Sequence, residues 1–228
     1  MIAAVLLALG VSADPLGLAA AQEPPRSVRL QYEAMLGGVK VGEATVVLGL
    51  GTGNYEVSGI ALARGALEGF SDWRNEFRAA GAIVAGRAQP QLFSYLETDR
   101  TKTREVVVRD GTLQVTKNGR ARPARTVPSG LDVLAGLFVH PRCQGDQLLH
   151  TGRHAYRVAR LASEPGRCRL LVIDAEEDRY EVDVVFARRN HLVVPGRLVF
   201  RGLVNGSIVL REDGPGPAAG GGDPAVDP

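Results

Sequence analysis

The chain has 228 residues, and its 27 lysines and arginines almost balance 25 aspartates and glutamates, which leaves a formal net charge of +2. The basic residues are scattered along the chain, and runs of five like charges are absent. Such a small and dispersed charge gives little support to nucleic-acid binding. The length is sufficient for one domain with a sizeable core.

The start of the chain resembles an export signal. Met1–Val11 is an apolar run that is too short to span a bilayer, which needs roughly 20 apolar residues. Ala19–Ala21 fits a small-residue cleavage site, so residues 1–21 are predicted to be a signal peptide that directs the chain to the periplasm. A second acceptable cleavage site precedes Asp14. An N-terminal core strand or helix is the alternative, but the Asp14-Pro15 pair would interrupt it.

The only two cysteines, Cys143 and Cys168, are predicted to form a disulfide. An even cysteine count in an exported chain favours a disulfide. Closing a loop of this size stabilises the fold by about 3–4 kcal/mol in the chain-entropy estimate. Two buried free thiols are the alternative. A catalytic Cys143 thiolate is a weaker hypothesis, because a partner cysteine would quench it in an oxidising compartment.

Strand signals dominate the rest of the chain. Alternating apolar and polar residues, bounded by Gly-rich turns, predict antiparallel strands. The predicted strands are 28–35, 41–50, 55–62, 104–109, 112–117, 156–161, 169–173, 180–186, 199–204 and 207–211. The dipeptides Asp110-Gly111, Asn118-Gly119 and Asn205-Gly206 are predicted to join neighbouring strands, and the first two suit type I′ turns.

One packed helix is predicted, over GLDVLAGLF at 130–138. Ser129 is expected to cap its first turn, with Asp132 at the acidic capping-box position. The apolar face of this helix would consist of Leu131, Leu134, Ala135 and Phe138. A second possible turn lies at 65–69.

These patterns divide the chain into three parts. Residues 1–21 are the signal peptide, 22–212 a β-rich domain, and 213–228 a Gly/Pro-rich tail. The tail is predicted to be disordered, because it cannot bury enough apolar surface to offset its ordering entropy. The domain is predicted to be mainly β and predominantly antiparallel. The lack of βαβ alternation argues against a doubly wound nucleotide-binding fold.

Metal and catalytic motifs are weak in this sequence. The four histidines do not form an HExxH motif, and zinc bound by His140, Cys143, His150 and His154 would take one cysteine from the disulfide. The sequence lacks a GxSxG elbow for a hydrolase. We therefore predict no metal site, no cofactor and no enzyme activity.

Two further motifs have simpler structural interpretations. The glycines at 49, 51 and 53 have GxGxG rather than GxGxxG spacing, and without a following helix they indicate a hairpin turn. The acidic segment IDAEEDRY at 173–180 lacks calcium-loop spacing and is interpreted as a solvated hairpin loop.

The densest aromatic patch consists of Phe70, Trp73 and Phe77. Core packing explains such a patch most simply. The alternatives are an apolar ligand cavity and a surface for a partner, and these three residues are the candidate ligand or partner site.

Several features occur in an order that resembles DUF3108, a family of uncharacterised exported proteins of Gram-negative bacteria. They are Tyr32, LGGVKVGEA at 36–44, Tyr55, Asp72-Trp73, Pro90, Tyr95, Pro128, LDVLAGLF at 131–138, Cys143, TGRHAYRV at 151–158, Cys168 and LVVPGRLVF at 192–200. The resemblance implies a periplasmic domain with a single curved antiparallel sheet, a partly open β-barrel or a β-spiral, around a helix. It brings no catalytic residues.

The leading hypothesis is a non-catalytic periplasmic protein of the cell envelope that binds lipid or another apolar ligand in its concavity. The alternative is a scaffold that binds an envelope protein without a small ligand. A hydrolase or metal-dependent enzyme is a remote third hypothesis. A closed apolar cavity of several hundred Å³ would favour ligand binding, whereas a filled core would favour the scaffold.

Overall fold

A computed structural model describes residues 26–127, 129–139, 143, 145–202 and 205–211. Most of these residues lie in sixteen strands of one sheet. The strands are β1 Arg26–Leu36, β2 Val39–Leu50, β3 Asn54–Ala63, β4 Arg74–Val84, β5 Arg87–Asp99, β6 Lys102–Arg109, β7 Thr112–Lys117, β8 Arg120–Ala121, β9 Arg125–Thr126, β10 Leu131–Asp132, β11 Gln147–His150, β12 Ala155–Glu164, β13 Arg167–Ile173, β14 Arg179–Arg189, β15 Leu192–Arg201 and β16 Gly206–Leu210.

Two helical turns accompany the sheet, a 3₁₀ turn at Gly65–Leu67 and a π-helical turn at Ala135–Val139. In the described part of the chain, helices of the length and apolarity needed to cross a membrane are absent. The predicted signal peptide at 1–21 and the predicted tail at 213–228 lie outside the described residues.

The sheet is an antiparallel meander in which sequence neighbours are also neighbours in space. The strand order is β10-β11-β12-β13-β14-β15-β16-β1-β2-β3-β4-β5-β6-β7-β8, and β9 pairs with β7. Strand β16 lies beside β1, which joins the C-terminal half of the sheet to its N-terminal half. The short β10–β11 pair is parallel. The predicted mainly β fold with one antiparallel sheet is confirmed.

The predicted type I′ turns are confirmed at both central dipeptides. In Asp110-Gly111 the φ angles are 46° and 76°, and in Asn118-Gly119 they are 49° and 75°. Both residues of a type I′ turn need positive φ, which Asp and Asn tolerate and Gly adopts without steric cost. The Gly-rich segment at 51–53 closes the β2–β3 hairpin, as the sequence predicts.

The sheet curves until its two ends come into contact. The turn after β11 lies against β6, where Gly152 is buried with a φ of +75°. A Cβ atom at Gly152 would lie 2.9 Å from Val106 Cγ1 and 2.9 Å from Val108 Cγ2, so the backbone itself touches these side chains. Strand pairing between β10 and β8 is absent from the described residues. The sheet is therefore a partly open barrel whose seam is closed by side-chain packing.

One core fills the concave side of the sheet. Its buried side chains come from β1 to β7, β15, β16, the π-helical turn and Val127, so this part of the sheet wraps around one cluster. Ala135 and Phe138 of the turn are buried in this cluster. The Phe138 ring contacts Tyr32 edge to face with a centroid distance of 6.2 Å, and the Tyr32 hydroxyl donates to Pro195 O at 2.9 Å. The turn thus occupies the middle of the concavity.

The predicted helix over 130–138 is wrong in its extent and in its cap. Leu131–Asp132 is a strand beside β11, and helical backbone begins at Val133, directly before the π-helical turn Ala135–Val139. A Cβ atom at Gly130 would lie 2.5 Å from Leu148 O, so the chain runs tightly along β11 before it turns. Asp132, and not Ser129, caps the turn: its Oδ1 accepts the N–H groups of Leu134 at 3.0 Å and Ala135 at 2.8 Å.

The predicted disulfide between Cys143 and Cys168 is confirmed. Cys168 lies on β13 and is buried in a second core cluster with Val182, Val184 and Leu198. Cys143 and Leu137 pack against the same cluster. The bridge therefore fixes the segment that follows the helical turn to the far part of the sheet.

Candidate functional site

The aromatic residues Phe70, Trp73 and Phe77 occupy three different environments. Phe77 lies on β4 and packs against the main core, with its ring so close to Gly59 that a Cβ there would be 2.7 Å from Phe77 Cζ. Trp73 is half-buried, and its Nε1 donates to Glu97 Oε1 at 3.4 Å. Phe70 is 76% exposed, the highest value for a large apolar side chain in the described residues. Of these three aromatic residues, only Phe70 is largely exposed to solvent.

The loop that carries Phe70 is anchored to the β5–β6 turn. Arg100 Nη2 donates to the carbonyl oxygen of Phe70 at 2.6 Å. Ser71 Oγ accepts the Trp73 N–H at 3.1 Å and donates to Asp99 Oδ1 at 3.4 Å. These contacts hold the loop in place while its apolar tip remains in water. An exposed aromatic side chain on a supported loop has the chemistry of a partner anchor, because Phe gains burial when a partner covers it.

Asp132 is the most deeply buried charged group in the described residues, with a relative exposure of 0%. Burial raises its pKa to about 6, while hydrogen bonds from the backbone of Ala135 and Leu134 lower it. The hydroxyl of Tyr55 interacts with this carboxyl group, and burial followed by the Asp132 charge raises the pKa of Tyr55. Within the described residues, neither Asp132 Oδ2 nor the Tyr55 hydroxyl has a hydrogen-bond partner at normal distance and angle. The pair is a buried polar contact between β3 and the end of β10.

His150 lies beside Asp132 in the register of β10 and β11 and is also buried. Its Nδ1 accepts the N–H of Gly152 at 3.2 Å, and its ring contacts Phe93 edge to face at 6.2 Å. Burial lowers the pKa of His150, which favours the neutral ring that this acceptor role requires. His150 therefore serves the turn at the seam of the barrel.

The other residues of the zinc hypothesis are not brought together with His150. Cys143 is bonded to Cys168, and the exposed His154 faces Tyr156 at a centroid distance of 6.5 Å. His140 lies outside the described residues. Within the described ranges, groups of three or more His, Cys, Asp or Glu side chains with metal-binding geometry are absent.

The acidic segment between β13 and β14 is a hairpin loop, as predicted. Asp174 Oδ1 accepts the N–H groups of Glu176 at 3.0 Å and Asp178 at 2.9 Å. Arg157 Nη2 donates to both carboxylate oxygens of Glu177, at 2.8 and 2.9 Å. These carboxylates thus accept hydrogen bonds from the backbone of their own loop and from Arg157 on strand β12.

Comparison with known proteins gives little guidance on function. No protein-family model matches the chain, and no curated protein matches it. Among solved structures, the chain is similar to a beta-barrel-like protein of the domain of unknown function DUF1849 from Brucella abortus, with a TM-score of 0.43 and 10% identity over 82% of this chain and 96% of that chain. The resemblance to DUF3108 stays a prediction.

Proposed function

We propose that this chain is a non-catalytic periplasmic protein of the cell envelope that acts as an interaction module for another envelope protein. The filled concavity carries this proposal. A barrel that binds a lipid chain needs an apolar cavity of several hundred Å³. Here the side chains of Ala135 and Phe138 lie in the middle of the concave face and pack against Tyr32 and its neighbours.

Two features support the periplasm as its compartment. The Cys143–Cys168 bridge requires an oxidising environment to persist. The apolar leader at 1–21 has the composition of a signal peptide. The proposed resemblance to exported DUF3108 proteins agrees with both.

The chemistry of the buried polar groups supports a non-catalytic role. Asp132 Oδ1 is engaged by two backbone N–H groups, and His150 Nδ1 accepts a third from Gly152. Cys143 is oxidised in the disulfide. Asp132 Oδ1, His150 Nδ1 and Cys143 Sγ thus have structural partners, whereas a nucleophile or general base must be free to reach a substrate.

The Phe70 loop supports a protein partner. An apolar side chain that is 76% exposed and held by a short hydrogen bond from Arg100 is arranged to insert into a pocket of another molecule. Aromatic anchors of this kind contribute much of the binding energy in protein interfaces. Leu67 of the same loop, 42% exposed, would extend the contact.

Site-specific photocrosslinking in the periplasm tests the proposal. A photoreactive phenylalanine analogue at position 70 should form one discrete protein adduct. The same analogue at position 161, where Leu161 is 50% exposed on β12, is the matched control and should not form it. Arg100→Ala, which releases the loop, should weaken the adduct at position 70.

Two results would contradict the proposal. Identical adduct patterns at positions 70 and 161, or none at either, would argue against a partner at the Phe70 loop. Native mass spectrometry of protein purified from the envelope provides the second arm. A lipid that remains bound to the folded protein would favour the apolar-ligand alternative, with a helical turn that moves to admit it.

A further inference from the structure

A basic groove lies across the seam of the barrel. Its volume is about 250 Å³, and its polar lining consists of Arg104, Lys117, Arg122, Arg125, Arg153 and His154. Val115 forms its apolar floor. With the exception of the half-buried Arg104, all the basic side chains are exposed to solvent.

The groove is created by the tertiary fold, since its residues come from distant parts of the sequence. Arg104 and Lys117 lie on β6 and β7, whereas Arg153 and His154 belong to the turn that leads into β12. Gly152 presses this turn against Val106 and Val108, which places the two basic segments face to face. The seam therefore fixes the width of the groove.

Hydrogen bonds of normal length hold both walls of the groove. Thr151 N donates to His154 O at 2.9 Å, and Thr151 Oγ1 accepts the His154 N–H at 3.2 Å. On the opposite wall, Arg122 N donates to Val115 O at 2.8 Å, and Gln114 Nε2 donates to Arg122 O at 2.8 Å. The protein's own hydrogen bonds thus hold the backbone that carries the basic side chains, without help from a ligand.

Most of the positive charge in this groove is uncompensated. Arg104 pairs with Glu97 at 2.8 Å. Ion pairs of Lys117, Arg122, Arg125 and Arg153 with acids of the described residues are absent at distances up to 4 Å. A concave surface lined by charges of one sign concentrates its potential and attracts ions of the opposite sign.

We propose that this groove binds a phosphate-bearing anion. The guanidinium groups of arginines match the oxygens of a phosphate in a two-pronged geometry, and a lysine adds a point charge. The volume is close to that of a small-molecule site. A phospholipid headgroup and a soluble organic phosphate share this chemistry. An acidic protein segment is the competing class, but a groove of about 250 Å³ that is rich in arginine fits a compact tetrahedral anion better.

This proposal does not depend on the proposed function. The groove is a property of the folded chain in any compartment, and Phe70 does not line it. If the purified protein binds phosphate but no protein adduct forms at Phe70, the groove proposal stands and the interaction module fails. If an adduct forms at Phe70 but phosphate does not bind, the interaction module stands and the groove proposal fails.

The test compares two triple variants of the purified protein that lose the same charge. Lys117→Gln/Arg122→Gln/Arg153→Gln removes three of the cations that line the groove. The matched control, Arg29→Gln/Arg87→Gln/Arg197→Gln, changes three exposed arginines on β1, β5 and β15. Calorimetry with inorganic pyrophosphate measures soluble phosphate, and cosedimentation with vesicles of equal parts phosphatidylcholine and phosphatidylglycerol measures the lipid source. Vesicles of phosphatidylcholine alone are the neutral reference.

The wild type and the control should bind at least one phosphate probe, and the groove variant should bind it about tenfold or more weakly. Added salt should weaken binding. Binding to anionic vesicles alone identifies a headgroup, and binding to pyrophosphate alone a soluble phosphate. Equal affinity of the two triple variants, no binding to either probe, or binding only to a poly-glutamate peptide would overturn the proposal. If the groove variant fails to fold, Arg153→Gln alone replaces it, with Arg197→Gln as its control.

Discussion

The side chain of Asp132 accepts the backbone N–H of Ala135 at 2.8 Å, and so caps the helical turn from inside the core. The same oxygen accepts the N–H of Leu134 at 3.0 Å. Without it, two donors at the start of the turn would lose their partner where water cannot replace it. One buried carboxyl group thus determines where the chain leaves strand β10 and begins to fill the concavity.

Two substitutions of Asp132 should distinguish the effect of its hydrogen bonds to the helical turn from the effect of its negative charge on stability. Asp132→Ala removes the acceptor and should lower the free energy of unfolding by about 1–3 kcal/mol, because buried N–H groups are left unsatisfied. Asp132→Asn keeps an acceptor oxygen and should retain most of the stability at neutral pH. Urea denaturation of the three proteins at pH 7 measures both effects. If Asp132→Ala and Asp132→Asn destabilise the protein equally, Asp132 does not stabilise the helical turn as a hydrogen-bond acceptor.

The raised pKa of Asp132 predicts a pH-dependent stability. Because its pKa is about 6 in the folded protein against 3.8 ordinarily, the folded state favours the protonated acid. The stabilisation from this group is fully present below pH 3.8 and is lost as the pH rises towards 6, by at most about 3 kcal/mol.

The comparison with Asp132→Asn isolates this contribution. Relative to that variant, the wild type should be more stable at pH 4 than at pH 7. His150 has the opposite effect, since its lowered pKa reduces stability as the pH falls, but both proteins contain it and its contribution cancels. Denaturation curves of both proteins across this range provide the measurement. A difference in stability between the two proteins that does not change with pH would refute the raised pKa of Asp132.

The sequence predicts much of the sheet because the signals involved are local. Turn dipeptides with positive φ and β-branched runs mark β6 and β7 and their neighbours within a few residues. Strands β4 and β5 escape prediction. The inward positions of β4 include Ala79 and Gly81 beside Phe77, so small side chains obscure the alternation that larger ones would reveal there. The strand at Leu131–Asp132 escapes because its register partners on β11 lie 18 residues further along the chain.

The candidate sites were less predictable than the fold. The basic groove gathers Arg104, Arg122 and Arg153 from segments that appear scattered in the sequence, and only the closure of the seam brings them together. The burial of Asp132 depends on contact with Tyr55, which belongs to a distant strand. The separation of Phe70 from Phe77 depends on where β4 begins. Each of these relationships is a long-range contact without a local signal.

The closure of the seam predicts an unusual sensitivity at Gly152. A methyl group there would overlap Val106 and Val108 at 2.9 Å, in a backbone with a φ of +75°. Gly119 has the same φ of +75° with no atom within 4 Å of its Cβ position, so it is a matched control. Gly119→Ala should lower the free energy of unfolding by about 1 kcal/mol through backbone strain. Gly152→Ala should lower it by about 1–3 kcal/mol more, which is the typical cost of overpacking a core. Thermal melts of both variants measure the difference, and equal melting temperatures would show that the seam is not packed.

The Cys143–Cys168 bridge should contribute substantially to stability, because it joins the exit of the helical turn to β13 across 25 residues. Constraining a loop of this length in the unfolded chain is worth about 3–4 kcal/mol. For a domain of this size, reduction should therefore lower the melting temperature by about 10 °C. Melts with and without a phosphine reductant measure the effect. The double variant Cys143→Ala/Cys168→Ala is the control, since the reductant should not change its melting temperature. An unchanged wild-type melt after complete reduction would show that core packing alone holds β13 to the turn.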